Sequence, residues 1–461
     1  MIREMFLTSL VVLTAMMLII ACDEANPQED IPAILSLADE EGYHPTLRDI
    51  SIVLEAEGAI EIEYWSGDKS PLIVTSDKAK EHEITLPRLA QGRSYDVRAT
   101  VIVDDVRSES SYEGSFETDS LPISLSSVKV DFEGEQSFEL FASTYYTLLD
   151  SGFIGLIVWD EDGDIVWWWE EPNSISAFDR FPNGNFAFLV RREGLKIVSP
   201  LTGIIATQAS PSQAFGFHHD LEITGDGTIL VLGKKFTQTN VGEIVSPNIW
   251  EWDPAAQTVE EVWVAADWLD PEIMRGERSN PDDWWHSNSL NLGPRDNILV
   301  SLRTTDQVVS IHSDFNGIEW TLGGPASTFN LDDPFYAQHE ATEYADNQIL
   351  LFDNHLVYVD GDYTLPEGAS TSRVVLIELD TDTGIAQTVW SFEPPDPIMC
   401  RAKNSTFRLS NGNSIATFTE SRYRPSAAYE IDSQGQQLWS ISYPEGWMVF
   451  GNAISNIAGE R

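Results

Sequence analysis

The sequence predicts an all-β protein in which a small β-sandwich, residues 34–120, precedes a six-bladed β-propeller, residues 121–461. Two observations predict this architecture. In the first part, apolar and polar residues alternate over short stretches, as they do in strands that bury one face. In the second part, a unit of strands and turns recurs six times, as expected for the blades of a propeller.

The N-terminus resembles a bacterial export signal. Arg3 supplies a positive charge, residues 6–20 are apolar, and Cys22 follows Ile19-Ile20-Ala21. An apolar run of this length is too short for a spanning helix of the mature protein. The placement of Cys22 resembles a lipobox, which implies cleavage before this residue and acylation of its thiol. The alternative is an ordinary signal peptide with an incidental cysteine.

We therefore expect residues 1–21 to be a lipoprotein signal peptide and residues 22–33 to be a tether. The mature protein would be exported and lipid-anchored in the bacterial cell envelope, at the periplasmic face or the cell surface. Apart from Cys22 the chain has only Cys400, so no intramolecular disulfide is expected. The sequence does not predict an oligomeric state.

The formal net charge of −47, from 74 acidic and 27 basic residues, excludes some partners. Such a surface repels DNA, RNA and anionic lipid headgroups, so we expect no nucleic-acid partner. A solvated acidic shell is the simplest explanation of the charge. An anionic substrate would need a locally positive pocket.

The sandwich prediction rests on residues 50–54, 59–64 and 95–101, where the alternation is clearest. Residues 84–95 resemble the fibronectin type III pattern, with Tyr95 as the expected tyrosine corner. A module of this size is typically a spacer or a docking domain. We assign it no chemistry.

The propeller prediction rests on two kinds of repeated hairpin. Five of six outer hairpins carry a tryptophan on the second strand: Trp167, Trp263, Trp320, Trp390 and Trp439. Inner hairpins lie between them, with turns at residues 182–185, 225–228, 294–297, 346–348 and 411–413. Two hairpins make four strands, and repeats of this kind are typical of propeller blades.

Three of the eight histidines occur near the start of inner hairpins. Thr228, Gln348 and Asn413 are equivalent residues at the inner turns. His219, His339 and Asn404 each lie nine residues before the corresponding one of them. His286 lies eleven residues before Asn297, and we expect its hairpin to be two residues longer, so that its position is equivalent. Because the first strand of each blade lines the central channel, we expect the three histidines to converge.

Other polar residues are placed by the same register. Lys234 lies six residues after Thr228, and Arg303 lies six residues after Asn297. This shared position predicts cations beside the histidines, and such cations favour an anionic ligand. A solvent-facing side chain is the alternative for Lys234. We expect His218 to point away from His219, as neighbours on a strand do. His355 is a candidate for a supporting residue.

Several motifs occur in a fixed order and carry a family resemblance. The motifs are Phe217-His218-His219-Asp220, Asp283-Trp284-Trp285-His286-Ser287-Asn288, Val300-Ser301-Leu302-Arg303, Trp320-Thr321-Leu322-Gly323-Gly324 and Gln338-His339. Together they resemble bacterial aryl-sulfate sulfotransferases, and the resemblance covers nearly all of the mature chain. The resemblance implies a small N-terminal β-domain before a six-bladed propeller. It also implies transfer of a sulfuryl group from an aryl sulfate to a phenol through a sulfohistidine, with neither a nucleotide donor nor a cofactor.

The resemblance also implies roles for individual residues. His339 would be the nucleophile, and His219, His286 and Arg303 would surround the sulfuryl oxygens. The further substrate-binding candidates are Asn288, Asn404, His355 and Lys234. Cys400 has no second cysteine for a disulfide once Cys22 is acylated, whereas disulfide-dependent members of the family have a cysteine pair. The blades are also compact. Both departures put the substrates in doubt more than the reaction.

Two other functions remain open at this stage. Histidines around a propeller axis could bind a metal, as in a metal-dependent oxygenase or lyase. Arg303 argues against a metal, because a fixed cation beside one is unfavourable unless an anionic substrate intervenes. A lipid-anchored propeller could also be a non-catalytic surface protein that binds a ligand.

Overall fold

The computed structural model describes residues 31–147, 152–211, 215–419, 426–444, 447–448, 450–455 and 457. The predicted signal peptide, Cys22 and the tether up to residue 30 lie outside the described residues. Within the described ranges, no helix is long and apolar enough to cross a membrane. Cys400 is buried and forms no disulfide within the described residues.

Six strands form the N-terminal sheet: β1 (Ile34–Glu41), β2 (Arg48–Trp65), β3 (Leu72–Thr75), β4 (Ala79–Leu86), β5 (Ser94–Val103) and β6 (Val106–Glu117). Their order is β1-β2-β5-β6, and β3 and β4 both pair with β2. Along β5, Tyr95, Val97 and Ala99 are buried and the residues between them are more exposed, as the alternation predicts. The Tyr95 hydroxyl accepts a hydrogen bond from the Ala90 N–H at 2.9 Å, as in a tyrosine corner. The fibronectin type III-like sandwich itself stays a prediction.

The chain divides into two compact units. The smaller unit contains the described residues up to Ala38, together with Ser51–Ile84 and Asp96–Ser115. The larger unit contains Asp39–Ile50, Thr85–Tyr95 and the chain from Phe116 onward. All sheets of the predicted propeller belong to the larger unit.

The first elements of the propeller segment are a short helix, one strand of the last blade and strands of the first three blades. They are α1 (Ile123–Ser126), β7 (Asp131–Gly134), β8 (Leu140–Tyr146), β9 (Ile154–Trp159), β10 (Ile165–Glu170), β11 (Ile175–Arg180), β12 (Phe186–Val190), β13 (Gly194–Ser199), β14 (Gly203–Gln208), β15 (Leu221–Ile223), β16 (Ile229–Thr239), β17 (Gly242–Asp253) and β18 (Thr258–Val264).

The remaining elements complete the ring. They are α2 (Ala265–Trp268), β19 (Ser287–Leu292), β20 (Ile298–Leu302), a 3-10 helix (Arg303–Thr305), β21 (Gln307–Ile311), β22 (Ile318–Leu322), β23 (Asn330–Leu331), β24 (His339–Ala345), β25 (Gln348–Asp353), β26 (Val357–Val359), β27 (Asp362–Thr364), β28 (Arg373–Asp380), β29 (Ile385–Phe392), β30 (Thr406–Arg408), β31 (Ser414–Thr419), β32 (Ser426–Ile431), β33 (Gln437–Tyr443) and β34 (Gly451–Ile454).

Six sheets form the blades of a ring, which confirms the predicted six-bladed β-propeller. Their orders are β34-β8-β9-β10, β11-β12-β13-β14, β15-β16-β17-β18, β19-β20-β21-β22, β24-β25-β28-β29-β23 and β30-β31-β32-β33-β7. The first strand in each order is the innermost one. A separate hairpin, β26-β27, is inserted between the second and third strands of the fifth blade.

Both ends of the propeller segment close the ring. The C-terminal strand β34 pairs with β8 and becomes the inner strand of the first blade. The early strand β7 pairs with β33 and becomes the outer strand of the last blade. Because two blades are each completed by a strand from the other end of the segment, the ring depends on contacts between residues far apart in the sequence.

Apolar side chains pack between neighbouring blades. Trp167 of the first blade is almost fully buried, and its ring stacks on that of Phe186 in the second blade at a centroid distance of 5.2 Å. Trp439 of the last blade packs edge-on against Phe141 of the first at 5.3 Å. The blade tryptophans therefore contribute to the cores that hold adjacent sheets together.

Gly451 provides a test of ring closure. A methyl group there would lie 2.6 Å from Cζ of Phe141, which is fully buried. We expect Gly451→Ala to lower the free energy of unfolding by about 1–3 kcal/mol, because overpacking a dense core forces side chains to shift. Urea unfolding followed by tryptophan fluorescence measures the change.

Gly225→Ala is the matched control, because a methyl group at this turn position would have no atom within 4 Å. We expect it to change the free energy of unfolding by less than about 0.5 kcal/mol. Equal effects of the two substitutions would contradict the closure described here.

Candidate active site

Three histidines from adjacent blades meet at the start of the inner strands. His339 is the first residue of β24, His286 immediately precedes β19, and His219 lies two residues before β15. The ring centroid of His219 is 5.1 Å from that of His286 and 6.2 Å from that of His339. The structure therefore brings together the three histidines that the repeat register singled out.

The hairpin that follows His286 is not longer than its counterparts, so one expectation is wrong. Leu292 pairs with Ile298, six residues later, and the equivalent pairs of the other inner hairpins have the same separation: Ile223 with Ile229, Glu343 with Ile349 and Arg408 with Ser414. Asn288 therefore occupies the position equivalent to the other two histidines, and His286 lies two residues upstream. A β-bulge at Asn288 and a left-handed backbone at His286, where φ is 48°, give this ring a different approach to the site.

Left-handed backbone conformations recur at these positions. The φ angle is 65° at His219 and 90° at Asn404, and it is 46° at Glu340, the residue after His339. A residue other than glycine adopts this conformation at a cost of about 1–3 kcal/mol. Such conformations persist where the surrounding structure fixes them, and they concentrate at functional sites.

His218 does not point away from His219, contrary to the strand alternation expected for them. The Nδ1 atoms of the two rings are 2.7 Å apart, so one ring donates a hydrogen bond and the other accepts it. Both residues precede β15, and the left-handed backbone of His219 breaks the alternation. His218 is therefore an additional member of the site.

Asp283 connects two of the predicted residues and was missed from the sequence, although it belongs to the motif of His286. Its carboxylate is hydrogen-bonded to Nδ1 of His286 and accepts a hydrogen bond from Nζ of Lys234 at 3.0 Å. Burial raises the pKa of Asp283, but the hydrogen bond with His286 and the charges of His286 and Lys234 lower it to about 2. The carboxylate is therefore ionised, and Lys234 is paired with it.

Arg303 is held in place by groups from the fifth and sixth blades. Its Nη1 donates to the Tyr363 hydroxyl at 2.8 Å, and its Nη2 donates to the Arg401 carbonyl oxygen at 2.9 Å. The guanidinium also lies 4.7 Å from the centroid of the Tyr363 ring. Tyr363 comes from the inserted hairpin β26-β27, and nothing in the repeat pattern indicated its role.

Two further cations line the site. Arg191 lies six residues after Asn185, at the repeat position that Lys234 and Arg303 share, so the same count identifies it in the second blade. Lys403 directly precedes Asn404. Neither was singled out in the sequence, although both lie next to positions that the register defines.

A cavity of about 280 Å³ opens beside His339. Its wall combines histidine rings, cations, hydroxyl groups and apolar side chains, contributed by Ser174, Ile175, Ser176, Arg191, Phe217, His218, His219, His339, Glu340, Lys403, Asn404 and Phe450. Such a mixture of apolar surface and a few convergent polar groups is typical of small-molecule sites.

Burial keeps the imidazoles of this cavity neutral. Burial, followed by the charges of Arg303, His286 and Lys403, lowers the pKa of His339 to about 3. Burial and the neighbouring positive groups also lower the pKa of His219 well below its ordinary value. The Nδ1 atom of His339 is buried without a hydrogen-bond partner among the described residues. His339 therefore presents an uncharged imidazole in a positive field.

Polar side chains tie the inner strands to one another. Asn288 Nδ2 donates to the Gln338 carbonyl oxygen at 2.7 Å, directly before His339. The Asp220 carboxyl group accepts a hydrogen bond from the Leu290 N–H at 2.8 Å. These contacts fix the relative positions of the histidines across three blades, and they give Asn288 a positioning role.

Asn404 and His355, two predicted substrate-binding residues, have side chains that contact other protein groups. Asn404 lines the cavity, but its Nδ2 donates to Asn354 at 2.9 Å and its Oδ1 accepts from the Thr419 N–H at 2.8 Å. His355 does not line the cavity; its Nδ1 lies 3.4 Å from the Thr371 carbonyl oxygen. Binding of substrate by Asn404 and His355 stays a prediction.

The histidines of the site are not arranged as a metal centre. Within the described part of the chain, no group of three or more His, Cys, Asp or Glu side chains has an arrangement that could hold a metal ion. Arg303 and Lys403 instead add positive charge near His339. The arrangement therefore favours an anion.

Several solved structures share low similarity with the chain. A protein of unknown function from Bacteroides caccae is 14% identical, with a TM-score of 0.45, and the match covers 68% of this chain and 98% of that one. TolB from Acinetobacter baumannii is 13% identical, with a TM-score of 0.41 and coverage of 79% and 80%. A putative 6-phosphogluconolactonase from Bacteroides fragilis is 11% identical, with a TM-score of 0.43 and coverage of 69% and 99%.

A family assignment comes from the sequence of the propeller. No curated protein matches the chain. The model of the arylsulfotransferase (ASST) family matches residues 142–437, which is more than half of the chain and includes His219, His286 and His339. This family supports sulfuryl transfer in general, with an aryl sulfate and a phenol as small-molecule substrates. The chain belongs to the arylsulfotransferase family.

Proposed function

We propose that this protein transfers a sulfuryl group from an aryl sulfate to a phenolic acceptor through a sulfohistidine at His339, without a nucleotide donor. The observation that supports this most is the neutral, buried imidazole of His339 beside Arg303 and Lys403. A neutral imidazole is a nucleophile, and fixed cations beside it favour an anionic sulfate ester.

In the first half-reaction, an imidazole nitrogen of His339 attacks the sulfur atom. The bond between sulfur and the aryl oxygen breaks, and the departing phenolate takes its electron pair. Sulfuryl transfer, like phosphoryl transfer, depends mainly on positioning and on charge stabilisation. Arg303, beside His339, offsets the negative charge of the transferred group.

The leaving oxygen needs a proton or a positive neighbour, because a phenol has a pKa of about 10. Burial lowers the pKa of His219 well below its ordinary value, so the protonated form that could donate a proton is disfavoured. His286 is instead hydrogen-bonded through Nδ1 to the ionised carboxylate of Asp283, which orients its ring and would offset a positive charge on it. We therefore assign the general acid to His286.

The second half-reaction reverses the first. A phenol attacks the sulfohistidine, gives its proton to the basic form of His286, and restores the free imidazole of His339. Because the acceptor attacks only after the first phenol has left, the kinetics are ping-pong.

His339→Asn tests the nucleophile. With a chromogenic aryl sulfate and a phenol acceptor, we expect the substitution to reduce the rate of transfer by about 10³-fold or more, because the covalent step is lost. The measurements are phenol release and sulfated product in parallel. His312→Asn is the control, because His312 pairs with Glu319 on an outer hairpin, away from the cavity.

A second measurement detects the sulfohistidine directly. Intact protein mass after donor alone should increase by one sulfuryl group in wild type and not in His339→Asn. Transfer that is indifferent to His339 would overturn the mechanism. Phenol release without an acceptor would indicate a sulfatase, and transfer only with added metal or a nucleotide sulfate would exclude the proposed donor chemistry.

The pH dependence tests the neutral nucleophile. Because the pKa of His339 is lowered to about 3, its imidazole stays uncharged as the pH falls through the ordinary histidine range. We expect kcat/KM for the donor to show no loss between about pH 7.5 and about pH 5.5. A decline with a midpoint near the ordinary histidine pKa would contradict the proposal.

The same pKa shifts affect stability, so folding must be followed at each pH. A histidine whose pKa is lowered by folding contributes its full stability above its unfolded value and loses it as the pH falls. This applies to His218, His219 and His339. Tryptophan fluorescence over the same pH range separates acid unfolding from titration of the site.

We also propose that the chain is exported and anchored in the cell envelope by a lipid on Cys22. The supporting observation is the apolar segment that ends at this cysteine. Cys22→Ala in cells should move the protein from the membrane fraction to the soluble fraction or leave it unprocessed, because the acylated thiol is lost. Unchanged fractionation and processing relative to Cys400→Ala would contradict the anchor.

A further inference from the structure

The cavity beside His339 contains two cations that have no acidic partner. Arg191 and Lys403 both line it, and neither forms a salt bridge with any residue in the described ranges. The chain has 74 acidic residues against 27 basic ones, so most cations could be paired at little cost. Two unpaired cations on one cavity wall therefore require an explanation.

Their mutual proximity is itself unfavourable. Burial, and then the charge of Arg191, lower the pKa of Lys403. Lys403 in turn lowers the pKa of His339, so the pair extends from the imidazole toward the second blade. Two like charges on one wall repel each other unless an anion lies between them.

Among the described residues of this wall there is one carboxyl group, that of Glu340, and it does not offset the two cations. Glu340 accepts a hydrogen bond from Asn291 at 2.9 Å. Burial and the nearby Asp220 raise the pKa of Glu340 well above its ordinary value, so a negative charge on this carboxyl group is disfavoured. A carboxyl group that disfavours the charged form does little to balance the charge of Arg191 and Lys403.

The rest of the wall fits an aromatic ring. Ile175, Phe217 and Phe450 supply apolar surface, and the hydroxyl groups of Ser174 and Ser176 lie at the same wall as the cations. A cavity of about 150 Å³ is enough for benzene. The volume of about 280 Å³ beside His339 therefore has room for a phenyl ring and a further substituent.

We propose that Arg191 and Lys403 bind a second anionic group of the aryl substrate, apart from the sulfuryl group that is transferred. The preferred substrates are then phenols and aryl sulfates that carry a carboxylate or another acidic substituent. This inference rests on the proposed sulfuryl transfer. It goes beyond it by naming the substrate class and the residues that select it.

The test compares two acceptors of similar size and phenol basicity, 4-hydroxyphenylacetate and 4-ethylphenol, with 4-nitrophenyl sulfate as the donor. In ping-pong kinetics, kcat/KM for the acceptor reports only the second half-reaction. We expect wild type to prefer the carboxylate acceptor, and Arg191→Gln and Lys403→Gln each to reduce that preference about tenfold or more, because a charge-assisted hydrogen bond is lost. The preference should also fall with ionic strength.

Arg192→Gln is the matched control, because it removes the same charge from the adjacent residue, which does not line the cavity. Its ratio of kcat/KM values should equal that of wild type. Equal use of both acceptors by wild type, or a ratio that none of the cavity substitutions changes, would overturn the inference while sulfuryl transfer stands. Absence of transfer to either acceptor would instead overturn the proposed function.

Discussion

The closed ring of six sheets is the constraint on which the candidate site depends. His219, His286 and His339 belong to different blades, and their rings meet only because the inner strands of those blades face one channel. The ring is completed by β34 inside the first blade and by β7 outside the last. Polar contacts such as that of Asn288 with the Gln338 carbonyl oxygen then fix neighbouring inner strands within the ring.

Charge has opposite roles inside and outside this ring. The surface is strongly acidic, whereas the cavity wall carries Arg191 and Lys403, with Arg303 also acting on His339. The same cations that attract a sulfate ester also disfavour the protonated form of His339. Burial adds to this effect, because it penalises the charged imidazole. One electrostatic arrangement therefore binds the anion and maintains the nucleophile.

Most of the fold and part of the site could be predicted from the sequence. Repeated hairpins predicted six blades, and the count from each turn placed His219 and His339 correctly. The same count does not place His286, because its greater distance from the turn does not come from a longer hairpin. In the structure the hairpin has ordinary length, and a bulge and a left-handed residue alter the chain at this point. A β-bulge or a left-handed residue cannot be recognised from the alternation of apolar and polar residues along a strand.

The sequence by itself determined the blade repeat, the register of the inner hairpins and the family motifs, because these depend on local order along the chain. Only the tertiary structure decided which groups surround the histidines. Asp283 reaches Lys234, and Tyr363 reaches Arg303, across segments that are distant in sequence. Lys403 and Arg191 come from blades far apart along the chain and share one wall only after the ring has closed. Contacts of this kind depend on packing in three dimensions, which the local pattern does not encode.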